Sequence, residues 1–204
     1  VNFAIEKSED PMPYFDRALD DAKKAAEINN KSHTPIFELA RIYSNLSDYY
    51  KDTIKDLNVA EEYRQKSIDA YSKVDEIRNN YFSKINLAYN YYYLALLKIE
   101  QQKFQEAIDL MQKSIEMRFK VIPQRANYFD VYTDALEAQI NLIQTLGKHN
   151  QEIKMALDNA TIQLNNACDF ENLKDKQKMK LDEYIQFYID NNWLKRDNLE
   201  KCNL

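Results

Sequence analysis

The chain has 204 residues, of which 45% are hydrophobic and 30% charged, and its formal net charge is −5. An acidic chain of this size is a poor candidate for binding nucleic acid or an anionic membrane. Its one glycine and four prolines argue against an all-β fold, a dinucleotide-binding fold and a phosphate-binding loop, because each of these needs glycines at turns or phosphates.

Apolar residues recur at helical spacing along almost the whole chain. Pro11 and Pro13 mark the start of a first helix, and the pairs Asn29–Asn30 and Asn79–Asn80 mark breaks. Thr34 is the predicted N-cap of the second helix, with Pro35 in its first turn. The predicted helices are 14–28, 35 to about 50, 59–77, 81–100, 104–119, 127–146, 151–164 and 174–190. A continuation of the second helix past Tyr50 and a further short helix at 193–201 are left open.

The later breaks follow from local residue types. Pro123 interrupts the chain, Gly147 is the predicted C-cap of the helix before it, and residues 165–172 read as a loop. The apolar stripe after this loop predicts a helix that caps the C-terminal end; its members are Leu181, Tyr184, Ile185, Tyr188, Ile189 and Trp193. The pattern as a whole predicts an all-α fold of seven to nine helices in successive antiparallel hairpins.

Small residues recur among larger apolar ones in three of these helices. The three sets are Phe15, Ala18, Leu19, Ala22 and Ala25, then Ala60, Tyr63, Ser67 and Ile68, then Phe104, Ala107, Ile108, Met111 and Ser114. Two other helices carry a large residue followed by leucine and alanine, namely Ile36, Leu39 and Ala40, and Tyr91, Leu94 and Ala95. These patterns resemble the second and first helices of a tetratricopeptide repeat.

The resemblance covers residues 15–164 and implies a right-handed superhelical solenoid of helix pairs. In that packing the small residues let two helix backbones approach closely. Ala18, Ala60 and Ala107 are 42 and 47 residues apart, whereas the usual repeat is about 34 residues. Lengthened repeats of this kind resemble those of bacterial regulatory proteins, and residues 9–19 resemble repeats fused to bacterial serine/threonine kinase domains.

This reading divides the chain into three parts. Residues 1–13 form an N-terminal segment or the remainder of a truncated helix, residues 14–164 hold the repeats, and residues 165–204 hold the capping helices. The helix from Tyr14 resembles a second helix whose first partner is missing, and the chain starts at Val1. A fragment of a longer protein is therefore one open reading.

The resemblance also implies that first helices line a concave groove. The positions carried over to that groove are Phe37, Arg41, Ser44, Tyr89, Tyr92 and Leu96, with Asn141 from a degenerate third pair beside Asp134 and Glu137. Tyrosine suits such a wall because it offers a large apolar area and one polar tip. Tyr91 falls at a packing position, and packing of Tyr89 and Tyr92 against neighbouring helices stays an open alternative.

No pattern of catalytic or metal-binding residues stands out. His33 and His149 fall in predicted loops without a partner cluster, and acidic pairs such as Glu61–Glu62 are typical of solvated helix faces. We therefore expect no enzyme activity, no metal and no cofactor.

Two features bear on the compartment. No run approaches the ~18 apolar residues of a membrane span, the longest lying around Tyr91 to Leu97. Cys168 and Cys202 are expected to be ordinary thiols, which favours a cytoplasmic protein; a pairing between them is left open.

The leading functional hypothesis is a non-enzymatic interaction module that binds a peptide or helix in the aromatic groove. Its partner would be a protein or peptide, not nucleic acid or a membrane. One alternative is a regulatory or sensing domain of a larger bacterial signalling protein, such as a kinase or transcription regulator. Another is a scaffold that associates with copies of itself.

Overall fold

The protein is all-α throughout the residues that the computed structural model describes, which are 10–29, 31–121, 129–148, 154–169 and 174–193. The helices in these ranges are α1 (Met12–Ile28), α2 (His33–Tyr49), α3 (Leu57–Arg78), α4 (Tyr81–Glu100), α5 (Phe104–Val121), α6 (Phe129–Lys148), α7 (Lys154–Cys168) and α8 (Asp175–Asp190). The predicted all-α fold is confirmed. The tetratricopeptide type and the superhelical hand stay predictions.

Side chains at the expected breaks cap the helices. Asp56 accepts hydrogen bonds from the backbone N–H groups of Asn58 and Val59, each at 3.1 Å, at the start of α3. Asn80 does the same for Ser83 at the start of α4. These bonds satisfy backbone donors that the first turn of a helix cannot pair internally.

The structure shifts several predicted helix ends by one to four residues and corrects three predicted details. Ser32, not Thr34, is the N-cap of α2, because its hydroxyl accepts from the Thr34 N–H. The continuation past Tyr50 that the sequence left open is a π-helical turn, Tyr50–Ile54, which ends at Lys55 in the left-handed conformation. Gly147 lies inside the last turn of α6 and is not its C-cap. The predicted loop at 165–172 begins later, because α7 continues to Cys168.

The chain divides between Lys103 and Phe104 into two compact units. In the first unit, α1 packs on α2, α2 on α3 and α3 on α4. In the second, α5 packs on α6 and α6 on α7, with fewer contacts to α8. Each unit therefore consists of consecutive helices packed on their neighbours in sequence, as the hairpin pattern predicts.

Close packing of α2 on α3 depends on small residues at their interface. Ala40 and Ala60 are fully buried. The Ser67 hydroxyl donates to the Ala40 carbonyl at 2.8 Å, and the Ser47 hydroxyl donates to the Ala60 carbonyl at 2.7 Å. Side chains this short reach across only because the two backbones lie close together, which confirms the packing role predicted for Ala40, Ala60 and Ser67.

Enlarging a residue at this interface should be costly. We expect Ala60→Leu to lower the free energy of unfolding by about 1–3 kcal/mol, since the added atoms have no space between two backbones. Ala25→Leu is the control, because Ala25 lies exposed on α1, and it should change stability by less than about 0.5 kcal/mol. Urea denaturation followed by far-UV circular dichroism measures both; equal effects would contradict the close approach.

The second unit has an apolar interior of its own. Residues buried in it include Ala107, Met111, Leu136, Ile143, Ala160 and Leu164. On α8, Leu181, Ile185 and Tyr188 are buried, so the apolar stripe predicted after the loop is confirmed as a packing face. Trp193 contacts the rings of Phe187 and Tyr188 at centroid distances of 5.6 and 5.8 Å.

The structure corrects one expectation about the cysteines. Cys168 is disulfide-bonded, so it is not the ordinary thiol predicted from the sequence, and the cysteines do not support a reducing compartment. Cys202 and His149 lie outside the described residues.

None of the helices in the described ranges combines the length and the hydropathy needed to cross a membrane.

Candidate functional site

The predicted groove residues of α2 differ in their surroundings. Phe37 is half-buried and packs edge-to-face on Tyr71 at a centroid distance of 5.4 Å. Arg41 is exposed and forms an ion pair with Glu38 at 2.8 Å. Ser44 is half-buried, and its hydroxyl contacts side-chain oxygens of α3 and α4. Phe37 and Arg41 are thus accessible, whereas Ser44 belongs to an internal polar network.

The burial of the tyrosines on α4 differs from what the sequence predicts. Tyr92 was predicted to line the groove, yet it is only 8% exposed, so little of its ring is available to a partner. Tyr89, Tyr91 and Leu96 are half-buried, and burial raises the pKa of the Tyr91 hydroxyl. Tyr93, which was not singled out, is exposed and packs edge-to-face on Tyr92 at 5.6 Å.

Asn141 lies on α6 in the second unit and donates to the Glu137 carbonyl at 3.0 Å. In that unit Asp134 forms an ion pair with buried Arg118 at 3.7 Å. Asn141 is therefore a residue of a different compact unit from the other predicted groove residues. A binding role for the whole predicted set stays a prediction.

Arg64 of α3 lies at the centre of a polar network in the first unit. Its side chain is 4% exposed. Its guanidinium donates to the Ser47 hydroxyl at 3.2 Å, to the Asn90 side-chain oxygen at 3.1 Å and to the carboxylate of Asp48. The guanidinium carbon also lies 5.1 Å from the centre of the Tyr93 ring. Every one of these partners comes from α2 or α4, so Arg64 links three helices.

Burial governs the electrostatics of this region. Removal from solvent lowers the pKa of Arg64, and the opposite charge of Asp48 counteracts that effect. Burial also raises the pKa of the Tyr71 hydroxyl to about 12, so this phenol stays neutral at physiological pH. The network is satisfied internally, and this arrangement suits a structural role better than a catalytic one.

A cavity of about 300 Å³ opens where the amino ends of α2 and α4 meet the carboxyl end of α3. We call it the helix-end cavity. Its lining residues are His33, Thr34, Phe37, Val74, Arg78, Asn80, Phe82 and Ser83. Phe37, Val74 and Phe82 supply apolar walls, and polar groups supply the rest, which is the composition typical of ligand pockets.

Phe82 is the accessible aromatic residue of this cavity. Its ring is 53% exposed and lies against that of Tyr81, with a centroid distance of 3.8 Å. Phe37 lies on α2, across the cavity lining from Phe82 of α4, and its ring packs on that of Tyr71. The cavity thus has two aromatic walls: Phe37, which packs on Tyr71, and Phe82, which is exposed.

His33 and Arg78 form the polar side of the cavity, and Arg78 carries its charge. A guanidinium nitrogen of Arg78 lies 2.7 Å from Nε2 of His33. Because a guanidinium can only donate, Nε2 of His33 is the acceptor and the ring is neutral in this arrangement. The sequence predicts a loop at His33, whereas this residue is the first of α2.

The sequence did not single out Arg78, Val74 or Phe82. Arg78 and His33 are separated by 45 residues, so only the packing of α2 on α3 brings them together. The one sequence signal for this cavity was Phe82, an aromatic residue in the first turn after the Asn79–Asn80 break. Among the described residues, no group of three or more His, Cys, Asp or Glu side chains is placed to hold a metal ion.

Comparison with known proteins gives little beyond helical architecture. No family model matches the chain, and no curated protein matches it. Among solved structures, the DHF79 filament matches 85% of this chain and 96% of its own at 10% identity, with a TM-score of 0.39. The de novo designed helical repeat protein DHR64 matches 90% and 96% at 11% identity, with a TM-score of 0.37. At values this low, function has to be argued from the residues of this chain.

Proposed function

We propose that this protein is a non-enzymatic interaction module that binds a peptide segment of a partner protein. The helix-end cavity of the first unit would be its contact site. The observation that carries the proposal is the exposed Phe82 ring facing a cavity that Phe37 also lines. Aromatic residues, phenylalanine among them, are enriched in protein interfaces relative to the rest of the surface.

The size of the cavity agrees with this proposal. About 300 Å³ is at the lower end of the range for small-molecule pockets, so it suits one large side chain of a longer ligand. The remainder of such a peptide would lie on the neighbouring helix surface. Arg41 and Tyr89, both predicted groove residues, lie on α2 and α4, the two helices that carry most of the lining.

Selection from a library of displayed peptides tests the proposal. We expect wild-type protein to enrich peptides with a shared aromatic position, and Phe82→Asp to weaken their binding at least tenfold, since loss of one anchor costs about 1.4 kcal/mol or more. Tyr14→Asp is the matched control, because Tyr14 is a similarly exposed aromatic residue on α1. Isothermal titration with synthetic copies of the enriched peptides measures the affinities.

Three results would contradict the proposal. They are the enrichment of no consensus, equal binding by wild type and Phe82→Asp, and equal weakening by Tyr14→Asp. Circular dichroism of each variant separates lost binding from lost folding.

A further inference from the structure

We infer that the helix-end cavity takes an aromatic side chain whose neighbour in the peptide carries a carboxylate, and that Arg78 binds this carboxylate. The inference rests on the proposed function and names the chemistry of its ligand. It follows from the charge of the lining, from the present partner of Arg78 and from the position of the apolar walls.

The lining of the cavity is electropositive although the chain as a whole is acidic. The chain carries a net charge of −5, yet the lining residues include the guanidinium of Arg78 and no acidic side chain. Charge that opposes the overall sign of a protein and lines a cavity favours a ligand of opposite charge.

One acidic residue, Asp75, contacts the cavity lining through Ser83, and its charge is already paired. Asp75 of α3 accepts from the hydroxyl of Ser83 and forms an ion pair with Lys84 at 3.1 Å. Lys84 also donates to the side chain of Asn79. The carboxylate of Asp75 is therefore engaged by groups of α4 and is not the partner of Arg78.

Arg78 differs from the other arginines in the part of the chain that the structure describes. Arg17, Arg41, Arg64 and Arg118 each lie within 4.0 Å of a carboxylate. Arg78 instead donates to the neutral ring of His33. A carboxylate is a stronger partner for a guanidinium than an imidazole, and it can accept two parallel hydrogen bonds.

The apolar walls fix where the rest of the ligand would lie. Phe37, Val74 and Phe82 line the same cavity as Arg78, so a ring placed among them is next to the guanidinium. An aromatic residue with an adjacent Asp or Glu in one peptide presents a ring and a carboxylate side by side, which are the two groups that this lining would bind. The requirement for both groups distinguishes this ligand from a purely apolar one.

The test compares two short peptides with acetylated and amidated ends that differ only in one residue beside a phenylalanine, Glu or Gln. We expect wild-type protein to bind the Glu peptide roughly tenfold or more tightly than the Gln peptide, because a charge-assisted hydrogen bond is then formed. Arg78→Gln should remove this preference and leave the affinity for the Gln peptide unchanged. Arg17→Gln, a control at an exposed arginine of α1, should retain it.

Each other outcome overturns a defined part of the argument. Equal binding of both peptides by wild type, or a preference that survives Arg78→Gln, would reject the carboxylate while leaving the proposed peptide site intact. Failure of both peptides to bind would reject the aromatic ligand itself and with it the proposed function. If free 3-phenylpropanoate bound as tightly as the Glu peptide and with the same dependence on Arg78, a small aromatic acid would replace the peptide as ligand.

Discussion

Replacing Phe15 with alanine is expected to lower the free energy of unfolding by about 3–5 kcal/mol. Phe15 is 1% exposed and packs with Leu19 and Leu46 in the core between α1 and α2. Its ring lies 5.9 Å from that of Tyr49. Deleting it removes buried apolar area and leaves a cavity, which the surrounding helices can fill only in part.

The adjacent Tyr14 is the control for this experiment. Its side chain is 49% exposed, and Tyr14→Ala should cost less than about 1 kcal/mol because little buried area is lost. Urea denaturation monitored by circular dichroism gives both values. If the two substitutions had equal effects, α1 would not be packed on α2 through Phe15.

The second large effect is expected at Asp48. Asp48→Ala should lower the free energy of unfolding by about 2–4 kcal/mol, because it leaves the buried guanidinium of Arg64 without an opposite charge. The expected loss of stability is smaller than for breaking a fully buried ion pair, since Asp48 itself is 50% exposed and water can reach that side of the pair.

A double substitution separates this explanation from a loss of packing. Asp48→Ala combined with Arg64→Met should be less destabilising than Asp48→Ala alone, because the buried charge is removed with its partner. Ser47 would still donate to the Ala60 carbonyl, and Asn90 would still accept from Ser44. A double variant as unstable as Asp48→Ala alone, or more so, would show that Arg64 stabilises the unit by other means.

Local sequence patterns were sufficient to predict where the described helices lie. The Asn79–Asn80 break and the capping side chain of Asp56 act over a few residues, so the sequence places the helix ends near them with an error of a few positions. Gly147 shows the limit of such signals. A glycine can end a helix, but it also continues one when the flanking residues favour the helical state, as they do in α6.

The orientation of the aromatic residues on α4 could not be predicted in the same way. Successive residues on a helix lie about 100° apart, so a small rotation of α4 decides which neighbour is buried. The resemblance placed Tyr91 in the core and Tyr92 in the groove, whereas Tyr92 is the more buried of the two. Only the packing of α4 on its neighbours fixes that rotation.

By itself, the sequence determined the all-α fold, the order of the helices and the small residues at which they approach. Each of these depends on spacing and residue type within one helix or one hairpin. The tertiary structure decided the burial of Arg64 among Asp48 and Asn90, the pairing of Arg78 with His33, and the cavity beside Phe82. These features join residues from different helices that are far apart in the chain, and their energies depend on distances of a few ångströms that no local pattern encodes.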